Sequence, residues 1–231
     1  MSTPLSILMT AGPTHEPIDA VRFLGNRSSG KLGSALAEQA ANDGHRVTLL
    51  LGPTKAQPNE NTNLTVIPFQ STADLQALLE RHLKDADVLI MAAAVADYRP
   101  KQVLGPGEKL RRTQAGLSIE LESTPDLLAA CAQQRTKRSN TGQLLVGFAL
   151  EPQERLLSSA RAKLARKGVD AIVANPLETM DASTINATLV TQDHEAEAPR
   201  EMSKHSFAIW LLEQLLQLYA AKQTSQTLPS C

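Results

Sequence analysis

Aromatic residues are scarce: four Phe, two Tyr and one Trp make up 3% of 231 residues. That excludes the stacking platform on which single-stranded nucleic acid is usually held. No charge of one sign dominates either, because 23 Lys and Arg face 24 Asp and Glu, for a formal net charge of -1. A general nucleic-acid binder needs a basic excess that is missing here. Two cysteines, Cys131 and Cys231, cannot build a disulfide framework and point to a reduced, cytoplasmic setting. No apolar run approaches the roughly 20 residues of a membrane span. The N-terminus enters a strand pattern at once, without the layout of a signal peptide. The five histidines show no H-x-x-x-H spacing and the cysteines no C-x-x-C, which argues against zinc. A G-x-S-x-G elbow is also missing, which counts against an α/β-hydrolase.

Apolar residues, by contrast, reach 42%, enough for a sizeable core. Short apolar runs at 5–9, 46–51, 65–69, 87–93, 144–148 and 171–174 predict strands. Several are continuous, such as Val88-Leu89-Ile90-Met91-Ala92-Ala93, as in parallel strands covered on both faces. Amphipathic runs at 31–42, 72–84, 125–135, 152–167 and 204–221 predict helices between them. The alternation defines an α/β fold, Rossmann-like and doubly wound, with a mostly parallel sheet. Thr72 and Thr124 are candidate helix caps and Gly44 a left-handed helix end. Leu117-Ser118-Ile119-Glu120-Leu121 alternates in polarity and predicts a half-exposed antiparallel strand. With the Lys/Arg-rich stretch at 97–113 it forms an excursion suited to covering a ligand or pairing with a second subunit. Residues 1–221 read as one domain and residues 222–231 as a flexible tail.

The segment from Thr10 to Gly33 joins the first strand to the first helix and is long for a dinucleotide turn. Gly12 opens it, and Ser28-Ser29-Gly30 ends it at a helix start that suits either phosphate or an ordinary Ser cap. A nicotinamide site needs an acid after the second strand, where this chain has Gly52-Pro53. The Walker frame fails too, since no Ser or Thr follows Lys31. Asp97 lies beyond a strand end lined by Ala92, Ala93 and Ala94, where a flat ligand could approach and an acid could meet ribose. Its bland alternative is an Asx turn or a solvated acid. Lys109 sits in a basic loop that could close on a triphosphate or simply face solvent. Phe148 could stack on a base or fill the core. Lys163 and Lys167, one helical turn apart, could face a phosphate or water.

Together the segments Thr10-Ala11-Gly12-Pro13-Thr14-x-Glu16-Pro17-Ile18-Asp19-x-Val21-Arg22, Asn26-x-Ser28-Ser29-Gly30-Lys31-x-Gly33, Ala94-Val95-Ala96-Asp97-Tyr98-Arg99, Glu108-Lys109-Leu110-Arg111-Arg112, Val146-Gly147-Phe148-Ala149 and Ala174-Asn175 resemble the phosphopantothenoylcysteine synthetase family. The resemblance covers most of the chain. It implies a ligase that joins 4′-phosphopantothenate to L-cysteine through an acyl-nucleotidylate, with CTP spent to CMP and pyrophosphate, in coenzyme A biosynthesis. It implies that Asn26 holds the acyl-nucleotidylate and that Lys109 serves the triphosphate, as the two catalytic residues. Asp97 then meets the nucleotide sugar, Ala93 and Phe148 frame the base, and Ser28, Ser29 and Gly30 form the phosphate-side helix start. Gly12, Lys163 and Lys167 are further nucleotide-binding candidates read from the sequence itself. Arg22 meets the pantothenate end, across a dimer interface. The resemblance also implies Mg²⁺ with no ligands assigned, a homodimer, no flavin, and a separate phosphopantothenoylcysteine decarboxylase as partner. The chain reads as the standalone or excised synthetase domain. The competing readings are a short-chain NAD(P)-dependent oxidoreductase, which lacks its Tyr-x-x-x-Lys pair here, and a non-catalytic nucleotide-binding module.

Overall fold

The structure is a computed structural model that describes residues 3–103, 105, 107–111, 116–179 and 184–227. In chain order, β1 Ser6–Ala11 leads through a hairpin of β2 His15–Pro17 and β3 Phe23–Gly25 to α1 Lys31–Asn42 and β4 Arg46–Leu51. Then come β5 Leu64–Pro68, α2 Thr72–His82 and β6 Val88–Met91. A second hairpin pairs β7 Tyr98–Pro100 with β8 Leu121–Ser123. α3 Leu127–Lys137, β9 Leu144–Glu151, α4 Leu156–Lys167 and β10 Ala171–Pro176 follow. The C-terminal part holds β11 Thr184–Ile185, β12 Thr188–Thr191, β13 Glu195–Glu197, β14 Met202–Ser203 and α5 Lys204–Thr227.

Eight strands form one sheet in the order β13-β12-β10-β9-β6-β1-β4-β5. Every pairing from β10 to β5 is parallel, while β12 joins β10, and β13 joins β12, antiparallel. The chain winds out from β1 through β4 to β5, returns to the other side of β1, and winds out again. The order reverses between β1 and β6, which is where doubly wound sheets bind ligands, beyond the carboxyl ends of the strands.

Alternation along buried strands feeds two cores. Ile7, Met9, Val47, Leu49, Val88 and Ile90 face α1 and α5, against Leu36, Ala40, Phe207 and Leu211. Leu8, Leu50, Leu89 and Leu145 face α2, α3 and α4, against Leu75, Leu79, Leu128 and Leu164. The sheet is thus covered on both faces, as the continuous apolar runs require. No helix among the described residues is long and apolar enough to cross a membrane. Cys131 is buried in the second core, and burial pushes its thiol up to about 12, which makes it inert.

Several local expectations are corrected. Ser71, not Thr72, caps α2, in a reciprocal capping box with Asp74. Thr72 instead gives its N–H and hydroxyl to the buried Glu16 carboxylate at 2.8 and 2.7 Å. Asp126, not Thr124, caps α3. Thr124 is occupied elsewhere: its hydroxyl donates to the Ala96 carbonyl at 2.5 Å. The antiparallel strand expected at 117–121 pairs instead at Leu121–Ser123, two to four residues later. α5 does not end at residue 221 but runs to Thr227, because Lys222 pairs with Asp170 and Gln223 donates to the Gly142 carbonyl. Arg112 of the basic loop and residues 228–231 of the expected tail lie outside the described residues.

Candidate functional site

Two loops are zipped together at the switch point. Ala94 donates its N–H to the Gly12 carbonyl at 2.9 Å, Thr14 donates to the Ala94 carbonyl at 3.2 Å, and Pro13 bridges Ala94. Buried Thr10 and Thr14 accept the N–H groups of Ala93 and Ala96 through their hydroxyls, at 3.1 and 2.9 Å. The rear of the 92–97 segment is therefore satisfied by threonines, and its front carries only small side chains. Such a surface lets a ligand reach the backbone closely.

The long loop is fixed by different means. His15 and Phe23 stack with ring centroids 3.6 Å apart, and Glu16 anchors to the start of α2. The loop returns Asn26 to the switch point, where its amide nitrogen donates to the Ala94 and Val95 carbonyls at 3.3 and 3.1 Å. Both partners are carbonyls, so the nitrogen must face them and the amide oxygen is left as an acceptor. The chain then enters α1 through Gly30, whose φ of 68° lies in the left-handed region. Neither Ser28 nor Ser29 caps α1, since no side chain does. The first-turn N–H groups are open, with the positive end of the helix dipole behind them. Gly12 backs this turn. A Cβ at Gly30 would lie 3.4 Å from the Gly12 backbone, and one at Gly12 would meet Gly52 at 3.2 Å.

Two cavities open here and share a wall of Arg27, Ala93, Ala94, Phe148 and Leu150. The larger, about 770 Å³, also takes in Asn26, Asp97, Asp126, Lys163, Arg166 and Lys167. The smaller, about 260 Å³, holds Ser28, Ser29, Gly30, Asn175 and Lys204. Asp97 forms no Asx turn, and its side chain makes no hydrogen bond among the described residues. Phe148 packs against the first core and lines both cavities.

The cations of α4 differ in availability. Lys167 is committed to Asp126 at 2.9 Å. Burial pushes the Asp126 carboxyl up, but the Lys167 ammonium and the Ala129 N–H outweigh it and hold it below the usual range. Lys163 donates to the Phe148 carbonyl at 3.2 Å. Burial lowers its pKa most and Lys167 next; Glu151 opposes this, Arg166 adds a little to it, and Asp97 opposes weakly. An anion entering the cavity would favour the charged form of Lys163.

Arg22 and Lys109 line neither cavity. They sit together on a turn at residues 18–22 joined to the loop at 107–110. Ala20 donates its N–H to the Glu108 carbonyl at 3.0 Å, and Arg22 pairs with Asp19.

Arg27, Arg166, Asn175 and Lys204 line the cavities and were not singled out as site residues from the sequence. Asn175 carried a signal, since it belongs to the Ala174-Asn175 segment of the resemblance and sits near the carboxyl end of β10. Its Oδ1 is buried with no hydrogen-bond partner among the described residues.

The order of strands and the cationic, N–H-lined crevice at the switch point define a doubly wound α/β protein built to hold an anionic ligand. The chain belongs to the DNA/pantothenate metabolism flavoprotein C-terminal domain family, whose model matches residues 3–219. It is 38% identical, over 97% of its length, to the coenzyme A biosynthesis bifunctional protein CoaBC of Bacillus subtilis (strain 168), and covers 54% of that protein. The chain thus spans about half the length of this curated relative. Among solved structures it is similar to the C-terminal domain of a CoaBC protein, with TM-score 0.77 and 36% identity over 94% of this chain and 96% of that one. A Cab2 variant solved in complex with phosphopantothenate-cysteine shares the fold, with TM-score 0.80 at 18% identity, over 97% of this chain and 89% of that one.

Proposed function

We propose that this chain joins 4′-phosphopantothenate to L-cysteine, using CTP in preference to ATP. The observation that carries the reading is the shared wall between the two cavities, where two anionic substrates can meet beside Asn26. A carboxylate oxygen of phosphopantothenate attacks the α-phosphorus of the nucleotide, and pyrophosphate leaves. The cysteine amine then attacks the acyl carbon, loses its proton, and CMP leaves with the carboxylate oxygen. Bringing two anions together is the physical problem, and N–H groups and cations at fixed positions solve it.

In this reading the base lies against Ala93 and Phe148, the sugar meets Asp97, and the phosphates approach residues 28–30 and the α4 cations Lys163 and Lys167. The amide oxygen of Asn26 accepts from the incoming amine. Lys109 and Arg22 reach the phosphates and the pantothenate end through loop closure or across the interface of a homodimer. Among the described residues no group of three or more His, Cys, Asp or Glu could hold a metal ion. Mg²⁺ would enter as the counter-ion of the nucleotide phosphates, where it would neutralise charge. A cytoplasmic location, the homodimer and a separate decarboxylase that consumes the product complete the proposal.

Pyrophosphate release with phosphopantothenate, Mg²⁺ and either CTP or ATP, with and without cysteine, tests it. Release before cysteine is added, faster with CTP, is expected. No release with either nucleotide would leave the non-catalytic reading standing, and a thermal shift with NAD alone would favour an oxidoreductase.

A further inference from the structure

Asp19 has a fully buried side chain in an otherwise exposed turn. Its Oδ1 accepts the N–H groups of Val21 at 2.8 Å and Arg22 at 2.7 Å. These two bonds suffice to close the turn. Its Oδ2 is engaged elsewhere: it accepts the Leu110 N–H at 3.0 Å, across 91 positions of sequence, and the Arg22 guanidinium. Arg22 also donates to the Leu110 carbonyl at 3.3 Å, and Ala20 to the Glu108 carbonyl at 3.0 Å. The residues on either side of Lys109 are thus both tied to the turn that carries Arg22. Lys109 is the one residue between these ties, at the apex of the tethered segment.

We propose that Asp19 is a positioning residue that straps the Arg22 turn to the Lys109 loop, so that both cations are presented as one unit to the same reacting site. A buried carboxylate desolvated at this cost holds its geometry only while all its donors are in place. The strap removes the entropy of ordering a Gly-containing loop each time substrate binds. Asp19 itself touches no reacting atom. What the two cations accomplish rests on the ligase reading; the strap rests on the hydrogen bonds alone.

Asp19→Asn keeps the size of the side chain but removes its charge and one acceptor. Pyrophosphate release without cysteine should fall by about tenfold or more, while the reaction of preformed acyl-nucleotidylate with cysteine changes by less than about twofold. A general structural defect would instead slow both half-reactions and lower Tm. Adding Asp19→Asn to a variant that already carries Arg22→Ala and Lys109→Gln should cause no further loss of its residual rate, because the strap acts through those two cations. An additive loss, or a wild-type rate in Asp19→Asn alone, overturns the inference. The wild-type protein gives a second reading that needs no variant: its Leu110 amide should exchange hydrogen at least about tenfold more slowly than a free loop amide. Exchange at the free rate overturns the strap even if Asp19→Asn fails to fold. If the wild type releases no pyrophosphate, the ligase reading fails, yet slow Leu110 exchange still supports the strap.

Discussion

Asn26 is oriented by two carbonyls nearly 70 residues away in sequence. In Asn26→Asp a carboxylate oxygen would face the Ala94 and Val95 carbonyls with no hydrogen between them, so the side chain must turn away. The acyl-nucleotidylate should then accumulate, and its reaction with cysteine should slow about 100-fold, as followed by mass spectrometry of quenched samples. Glu16 acts on stability rather than chemistry. Glu16→Ala would leave the buried Thr72 N–H and hydroxyl unpaired and should cost about 2–4 kcal/mol in urea unfolding. Asp19 adds a pH dependence. Burial raises its carboxyl, but the N–H groups of Val21, Leu110 and Arg22 and the Arg22 guanidinium outweigh this and hold it at about 2. A depressed folded value means that the strap's stabilisation is complete above about pH 4 and is lost as pH falls through about 2. Exchange at Leu110, corrected for the intrinsic rate, should therefore accelerate only below about pH 4. Asp97, Phe148 and Lys163 were legible as site candidates because they end strands or share a helix face. Asp19 and Glu16 were not, because their partners, Leu110 and Thr72, are set by tertiary packing.

At the scale of elements, helix α1 is the main device. It starts on Gly30 without a side-chain cap and lies so close to β1 that a Cβ on Gly33 would come within 2.5 Å of the Ala11 Cβ. Gly33→Ala should push the helix start outward, costing about 1–3 kcal/mol in unfolding and weakening nucleotide binding in titration. Unchanged binding would separate the helix start from the phosphates. The apolar runs and periodicities located the five α-helices among the described residues and the parallel strands; burial on both faces gives the central strands a continuous apolar signature, whereas the edge strand β5 is half exposed. They did not locate β12 and β13, the short antiparallel strands that extend the sheet beyond β10 in a region of mixed polarity. Caps were misplaced by one or two residues for a physical reason. Ser, Thr and Asp all suit a cap, and which one serves depends on what else competes for the hydroxyl, as Glu16 does for Thr72 and Ala96 for Thr124.

For the whole molecule, element order was readable but the pairing order was not, because a strand's neighbours are set by how crossovers wind. The observed order puts the carboxyl ends of β1 and β6 side by side and brings Gly12, Asn26, Ala93 and Asp97 into one region. It leaves Arg22 and Lys109 outside the cavities but strapped to each other. In a homodimer, mixed Arg22→Ala and Lys109→Gln subunits should therefore recover no activity, since every site lacks one cation of its unit. Recovery to about a quarter of the wild-type rate, the fraction expected for independent contributions from two subunits, would mean that the cations serve different sites.

In the proposed reaction a carboxylate is activated on the α-phosphorus of a nucleotide. Phosphopantothenate labelled with ¹⁸O in its carboxylate tests this most directly. One turnover with CTP and cysteine should place a single ¹⁸O in CMP and none in pyrophosphate. Label in orthophosphate, or no label in CMP although the amide has formed, would contradict it.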